Sequence, residues 1–305
     1  MTRIRPLILL LLLAAAVLIA CGDPVVSVDQ DQYRPKIVID GYLFPGEPVE
    51  RIRITRNFAL NTDIDVDDVS LSEAQVTLTD LVAGRTFGLD YRDPEQGFVY
   101  DGSDLTIECG KSYRLEVEAV VDGRTLQASA ATTVPGPGFA IDEGTSVLDS
   151  LLYMQEDAGG DLQHFEIVFQ RAMGTGFYVF SIRALDADEE TFIEDNLFGV
   201  ELDDLEEEDL EDLADDSIHR QHLLPEPGLS SVELYWSSFY FYGDYRIVAY
   251  AGDRNFEEFY LTYDSIQSDD GNLYEPRFDI EGDGIGVFGS AMVDTAYVRV
   301  IPSRE

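Results

Sequence analysis

The sequence predicts a mainly β fold, in which an N-terminal immunoglobulin-like β-sandwich is followed by a second β-rich domain with one or two short helices. The first observation behind this prediction is a series of short segments, rich in β-branched and aromatic residues, that alternate apolar with polar positions as half-buried strands do. The second is the glycine- and proline-rich turns between them, among which the Asp122–Gly123 pair is the strongest hairpin signal.

Residues 1–20 are expected to be a lipoprotein signal peptide. Arg3 and Arg5 form a short basic region, and the uncharged apolar run 7–20 has the length of a signal-peptide core. That run is too short for a comfortable membrane span. The segment is therefore predicted to direct export and then to be removed.

Cys21 ends the apolar run, and the four residues 18–21, Leu-Ile-Ala-Cys, resemble the bacterial lipobox, whose cysteine is acylated on sulfur. Each buried methylene of an acyl chain contributes about 0.8 kcal/mol, so a multiply acylated Cys21 would anchor the protein to a membrane. Gly22, where an inner-membrane retention signal has aspartate, favours the outer membrane. Residues 21–34 are polar and predict a flexible tether. An ordinary secretory signal is the alternative, and the membrane face, periplasmic or surface, stays open.

Residues 35–135 predict the immunoglobulin-like sandwich. Its expected strands are KIVIDGYLF, VERIRITRN, EAQVTLTDL, RTFGLDY, GFVY, YRLEVEAVV and RTLQASAATTV. About seven short strands in about 100 residues are typical of that architecture. The stretch VPGPGFAIDEG, with two prolines and three glycines, follows and predicts the domain boundary.

Residues 136–305 predict the second domain. Its expected strands are LQHFEIVFQ, GFYVFSIRAL, SVELYWSSFYFY, YRIVAYAG and TAYVRVIP. The stretch DRNFEEFYLTYDSIQ predicts a helix, because its aromatic residues recur at helical spacing. These residues are Phe256, Phe259, Tyr260 and Tyr263.

An acidic insertion interrupts this second domain at about residues 186–216. It is expected to be solvated, with a cation site or a basic-partner site as the alternative. An apolar stripe on a short helix is predicted within it. The stripe consists of Leu202, Leu205, Leu210 and Leu213.

The chain is strongly acidic, with 60 Asp and Glu against 20 Lys and Arg and a net charge of −40 at pH 7. Such a field repels nucleic acid, so no nucleic-acid partner is expected. Lysine occurs only at positions 36 and 111. Excess carboxylate with little lysine predicts a salt-adapted surface, because salt screens the self-repulsion that destabilises the compact state. An acidic secreted protein without this adaptation is the alternative.

Cys109 is the only cysteine besides Cys21, so a lipidated Cys21 leaves no intramolecular disulfide. An isolated cysteine near the start of a strand is typically a small buried apolar residue, and we expect this for Cys109.

Aromatic residues near position 240 are the candidate ligand-binding residues, suited to stacking on a glycan or a peptide. They are Tyr235, Trp236, Phe239, Tyr240 and Tyr242. The alternative is that most of them fill the second core, since alternating strand positions must bury one face.

The stretch GIGVFG matches the dinucleotide-binding fingerprint only in form. That fingerprint needs a following helix and a later acidic residue within a βαβ unit, whereas the residues after it predict a strand. Gly284, Gly286 and Gly289 are therefore predicted to form a structural loop beside the core.

No cofactor is expected, and calcium is the weaker alternative. Asp63, Asp65 and Asp67 alternate as at the start of a calcium loop, but Asp68 and Ala74 stand where an EF-hand has glycine and glutamate. The histidines of SIHRQH are predicted to lie in a surface loop instead of binding a metal. No catalytic motif is present in the sequence.

Five stretches together resemble domain-of-unknown-function family 4249. They are the lipobox, YRPKIVIDGYLF, GKSYRLEVEAVVDGRTLQASAATTVP, EEFYLTYDS and IEGDGIGVFGS. The late glycine motif matches at Gly284, Gly286, Phe288 and Gly289, whereas Asp283 and the acidic insertion depart from the pattern. The resemblance implies an outer-membrane lipoprotein encoded beside TonB-dependent transporters, and it implies no reaction.

Two hypotheses about function follow. The first is an outer-membrane lipoprotein that binds a ligand or assists a TonB-dependent transporter. The second is a surface hydrolase that uses paired carboxylates on a polymer substrate. An enzyme would show two carboxyl groups flanking an aromatic cleft, whereas an accessory protein would show exposed binding surfaces without one.

Overall fold

The computed structural model describes residues 33–59, 62–64, 69–94, 96–146, 148, 150–156, 159–162, 165–215, 217–268 and 279–303. The described residues of 35–57 and 64–303 form one compact unit, which holds every element named below. As the sequence predicts, strands predominate and helices are few.

Seven strands precede the predicted domain boundary. They are β1 Ile37–Leu43, β2 Arg53–Arg56, β3 Gln75–Asp80, β4 Arg85–Tyr91, β5 Phe98–Val99, β6 Ser112–Val121 and β7 Arg124–Thr133. The later strands are β8 Ala140–Ile141, β9 Leu151–Leu152, β10 Phe165–Gln170, β11 Phe177–Ala184, β12 Ser217–His222, β13 Leu229–Leu234, β14 Gly243–Gly252, β15 Ile280–Gly282 and β16 Gly284–Ile301. Two helices, α1 Glu207–Asp215 and α2 Arg254–Ser268, and two single 3-10 turns at Leu202–Asp204 and Trp236–Ser238 complete the described elements.

The immunoglobulin-like sandwich is formed by two sheets that face each other. One sheet has the order β15-β7-β6-β3-β4-β5, and β1 and β2 belong to the other. Alternation decides which side chains are buried: on β6, Tyr113, Leu115 and Val117 point inward, and they pack with Ile37 and Ile39 of β1. Burying such apolar side chains contributes about 1.5–3 kcal/mol each.

The hairpin between β6 and β7 forms at the predicted Asp-Gly turn. Asp122 and Gly123 both have positive φ, 50° and 73°, as the two central positions of a type I′ turn require. The carboxylate of Asp122 also accepts a 2.7 Å hydrogen bond from Nη2 of Arg56.

The first and last of the described strands, β1 and β16, pair in parallel, with Ile37 opposite Gly284 and Leu43 opposite Ser290. The remainder of β16 pairs antiparallel with β14, so one sheet contains strands from both sides of residue 135. Phe288 enters the core of the N-terminal sandwich, and β15 pairs with β7.

The glycines of GIGVFG lie on β16, and the structure differs here from the predicted loop. Gly284 and Gly286 stand opposite Ile37 and Ile39, and Gly289 stands opposite Tyr42. Gly286 has a φ of 107°, and a Cβ there would lie 2.0 Å from the carbonyl oxygen of Ile39. Glycine is required because β1 approaches the backbone closely, not because the chain turns.

The larger core belongs to the second region. The sheet β12-β11-β14-β16-β1-β2 packs there against a three-stranded sheet of order β13-β10-β8. Aromatic side chains dominate this core, with Phe165, Phe169, Tyr178 and Phe180 fully buried. Large rings suit a core between short strands because each buries 150–250 Å².

Helix α2 matches the predicted helix and packs its aromatic face on the same sheet. Phe256 contacts Phe177, and Tyr260 lies 4.7 Å from Phe256 between ring centroids. The side chain of Tyr263 lies outside the described part of the chain. Among the described residues, no helix has the length and apolar character that crossing a bilayer demands.

The acidic insertion forms α1, as the leucine spacing predicts. Leu210 and Leu213 lie on this helix and Leu202 on the preceding 3-10 turn, and with Leu205 they pack half-buried against the larger core. Cys109 is a half-buried free thiol three residues before β6, and so is less buried than we expected.

Candidate ligand-binding surface

The candidate aromatic residues lie on a turn instead of a continuous strand. Strand β13 ends at Leu234, and Trp236–Ser238 forms a 3-10 turn. The chain then pairs with the insertion, because the N–H of Ile193 donates to the carbonyl of Tyr240 and the N–H of Tyr242 donates to that of Thr191.

The five candidate residues divide between core and surface. Trp236 and Phe239 are buried, and their ring centroids are 5.8 Å apart. Tyr240 and Tyr242 are half-buried, whereas Tyr235 is 59% exposed. Three of the five are thus available to a ligand.

An exposed stack forms where the insertion meets this turn. The ring of Phe198, 63% exposed, lies over Tyr240 with centroids 6.3 Å apart and an interplanar angle of 22°. Leu197 beside it is 50% exposed. We call Leu197, Phe198, Tyr240 and Tyr242 the aromatic surface.

Phe198 was missed by the sequence analysis, although one apolar pair, Leu-Phe, within an acidic stretch was a signal for it. Buried Asn196 fixes its position: its side-chain oxygen accepts from the N–H of Val200 at 3.0 Å, and its Nδ2 donates to the carbonyl of Val200 at 2.7 Å. This closed turn holds Phe198 at the surface.

The phenols of the aromatic surface remain protonated at neutral pH. Burial raises the pKa of Tyr240, and burial together with the nearby charge of Asp195 raises that of Tyr242. Each ring therefore offers an apolar face and a hydroxyl donor, the combination that suits sugars and peptides.

A serine–histidine array lies beside Tyr235. SIHRQH forms the edge strand β12 instead of the predicted loop, and Nε2 of His219 lies 2.8 Å from the hydroxyl of Ser238. The hydroxyl of Ser217 donates to Ser238 at 2.5 Å. Burial lowers the pKa of His219, so the imidazole is neutral at pH 7 and is a weaker base than an exposed histidine. Ser238, however, is only 6% exposed, and a substrate carbonyl cannot reach its oxygen in this conformation.

Carboxyl groups with a raised pKa lie apart from this array. Burial raises the pKa of Asp40 on β1 and of Asp253 before α2. Asp40 faces Arg53 at 3.6 Å, and the oxygens of Asp253 accept hydrogen bonds from Thr132, Phe256 and Ser290. Hydrogen bonding thus gives Asp253 a structural role.

Of the three aspartates predicted as candidate metal ligands, the structure describes only one. Asp63 is exposed, and Asp65 and Asp67 lie outside the described residues. His222 pairs with Glu257 at 3.1 Å. Across the described ranges, no group of three or more His, Cys, Asp or Glu side chains is arranged to hold a metal ion.

A cleft of about 610 Å³ separates the insertion helix α1 from the end of β11. Leu185, Ala187 and Leu210 form its apolar part, and Arg183 pairs with Asp215 at its rim at 2.7 Å. Its size is that of a small-molecule site.

Comparison of the sequence with models of protein families gives one match. The family model described as "Domain of unknown function (DUF4249)" matches residues 23–295. No curated protein matches the sequence. Among solved structures, the crystal structure of chicken CNTN1 FN1–FN3 domains is similar at 9% sequence identity and a TM-score of 0.15, covering 87% of this chain and 70% of that chain. So low a TM-score carries no weight, and the assignment of the fold rests on the strand pairing.

Proposed function

This chain belongs to the DUF4249 family, and we propose that it is an outer-membrane lipoprotein that binds a ligand or partner in support of a TonB-dependent transporter. In this proposal Cys21 carries the lipid anchor, residues 21–34 are the tether, and the aromatic surface makes the contact.

The anchor is supported by the sequence around the first cysteine. A basic start, an apolar run of signal-peptide length and Ala20 before Cys21 are the features that lipoprotein processing requires. Acyl chains on Cys21 would supply the membrane affinity that the folded part does not need to provide.

The observation that carries the binding role is the Phe198–Tyr240 stack. A phenylalanine that is 63% exposed and held by a closed turn forfeits the free energy of burying its ring. Exposed apolar patches on soluble proteins commonly mark interaction sites. The stack lies on the surface, where a ligand or a partner protein can contact both rings.

Co-purification from native membranes tests the proposal. A tagged chain is solubilised in mild detergent and its partners are identified by mass spectrometry. We expect a TonB-dependent transporter to be recovered, and to be lost when Phe198→Ala and Tyr240→Ala are combined. Val120→Ala is the matched control, because Val120 is 67% exposed on β6, away from this surface. Equal recovery of the transporter with both variants would contradict the binding role.

The anchor has its own test. Cys21→Ser should abolish labelling of the protein by a radioactive fatty acid and should release a soluble or unprocessed form. Label that persists in this variant would contradict the assignment of Cys21.

A further inference from the structure

The large sheet has an outer face that helix α2 covers at one end only. Side chains of β11, β12, β14 and β16 that point away from the larger core share this face. Phe177 and Val179 are buried there under Phe256 and Tyr260. Beyond them, the face is exposed to solvent in the described part of the chain.

The exposed part of this face carries large apolar side chains. Val293 on β16 stands opposite Tyr250 on β14, and Ile218 on β12 stands opposite Ser181 on β11. Ile218 and Val293 are each 42% exposed and Tyr297 is 59% exposed. Three large exposed apolar residues therefore point to the same side of the sheet, and exposed apolar surface of this kind commonly marks a site that a partner protein covers.

Arginines share this face, although acidic residues outnumber basic ones 60 to 20 in the chain. Arg246 stands between Arg183 and Tyr297 on the neighbouring strands. Arg183 bonds to Asp215, and Arg299 lies 3.4 Å from Asp244. We call Arg183, Ile218, Arg246, Val293, Tyr297 and Arg299 the arginine face.

Arg246 differs from its neighbours because no ion pair engages it among the described residues. It is half-buried, and its Nε is shielded from solvent without a hydrogen-bond partner there. A shielded donor without a partner is unfavourable, because it has lost its hydrogen bonds to water and gained none in return. The chain is rich in carboxylates, yet none of the described ones pairs with Arg246. The guanidinium can therefore bind a carboxylate of another protein.

We propose that the arginine face docks a partner protein whose surface presents a carboxylate beside apolar side chains. The planar guanidinium of Arg246 matches a carboxylate in a two-point hydrogen bond, while Val293, Tyr297 and Ile218 supply the apolar contact. The face extends across the four adjacent strands β12, β11, β14 and β16, an extent that suits a protein surface better than a small molecule. In a two-fold contact with a second copy, the arginines of one face would lie against those of the other and repel them. Self-association therefore explains this face less well than a different partner does.

Site-specific photocrosslinking in the source cells tests this. The full chain is produced with p-benzoyl-phenylalanine in place of Tyr297 and irradiated, and the adducts are identified by mass spectrometry. We expect one adduct with another protein, whose crosslinked peptide contains Asp or Glu among apolar residues. Arg246→Glu should lower the adduct yield about tenfold or more, because it sets like charges against each other.

Matched variants separate docking from folding. Arg114→Glu makes the same charge change on β6 of the N-terminal sandwich, at a half-buried position that faces outward. It should leave the adduct yield unchanged. Arg246→Gln should lower the yield while keeping the wild-type melting temperature. Exchanging the partner's carboxylate for arginine should restore crosslinking to the Arg246→Glu chain. An absent adduct, an adduct only with a second copy, or a yield indifferent to Arg246→Glu would overturn the proposal.

Discussion

The hydroxyl of Thr132 donates a 2.6 Å hydrogen bond to Oδ2 of Asp253, which joins β7 of the N-terminal sandwich to the start of helix α2. Oδ1 of the same carboxylate accepts from the N–H of Phe256 at 3.0 Å, which makes Asp253 the N-cap of α2. It also accepts from the N–H of Ser290 on β16 at 3.1 Å. One buried side chain therefore connects three elements that are distant in sequence.

Asp253→Ala should lower the free energy of unfolding by about 3 kcal/mol, because it removes a helix cap and leaves buried donors unpaired. Asp253→Asn keeps one acceptor oxygen and should cost less. Urea denaturation followed by circular dichroism measures both. Glu143→Ala, at an exposed turn, is the control. A loss below about 0.5 kcal/mol for Asp253→Ala would show that the junction is held by other contacts.

Gly286→Ala should destabilise the protein by about 3 kcal/mol or more, since a Cβ would meet the carbonyl oxygen of Ile39 on a paired strand. Gly88→Ala is the matched control, because Gly88 also lies on a strand and its Cβ would meet nothing within 4 Å. Soluble yield and melting temperature are the measurements. Equal behaviour of the two variants would mean that β1 and β16 are less closely paired than described.

His219 should make stability depend on pH below neutrality. Burial lowers its pKa from the ordinary value of 6.5, so its contribution is present above pH 6.5 and is lost as pH falls through the lowered value. His219→Gln should therefore flatten the decline of unfolding free energy as the pH falls below 6.5. Denaturation curves below pH 6.5 measure this effect. A slope unaffected by His219→Gln would refute the assignment.

Salt should stabilise the protein if its acidic surface is an adaptation. Raising monovalent salt from about 0.1 to 1 M shortens the Debye length from about 10 to 3 Å and screens the net charge of −40. We expect the melting temperature of the soluble form to rise by several degrees, since about 1 kcal/mol corresponds to roughly 2–4 °C in a chain of this size. Sodium and potassium chloride should act alike. A response to millimolar calcium with none to monovalent salt would indicate a calcium site instead.

Fragment 35–135 should fold alone but with reduced stability. It keeps the inward-facing residues of β1, β3 and β6, and it loses β15, β16 and the buried ring of Phe288. Losing a buried phenylalanine costs about 3–5 kcal/mol. Circular dichroism should show a β spectrum with a melting temperature below that of the whole chain. A disordered fragment would mean that the sandwich requires β16.

The sequence by itself determined the features that depend on neighbouring residues. Alternation and turn residues located β3, β4, β6 and β7 to within one or two positions, and the Asp122–Gly123 turn was assigned from its dipeptide. Helix α2 followed from the spacing of its aromatic residues. The family was recognised from dispersed short stretches and confirmed by the match over residues 23–295.

Only the tertiary structure decided which distant residues meet. Alternation states which side of a strand is buried but not which strand lies beside it, so the parallel pairing of β1 with β16 has no local signal. For the same reason, the sequence predicts a loop at Gly286, although this residue lies opposite Ile39 in a sheet. Phe198 over Tyr240, His219 beside Ser238 and Arg246 between Arg183 and Tyr297 all arise from contacts between separate strands and turns. Such contacts are fixed by the packing of the whole chain, because each depends on the burial of the others.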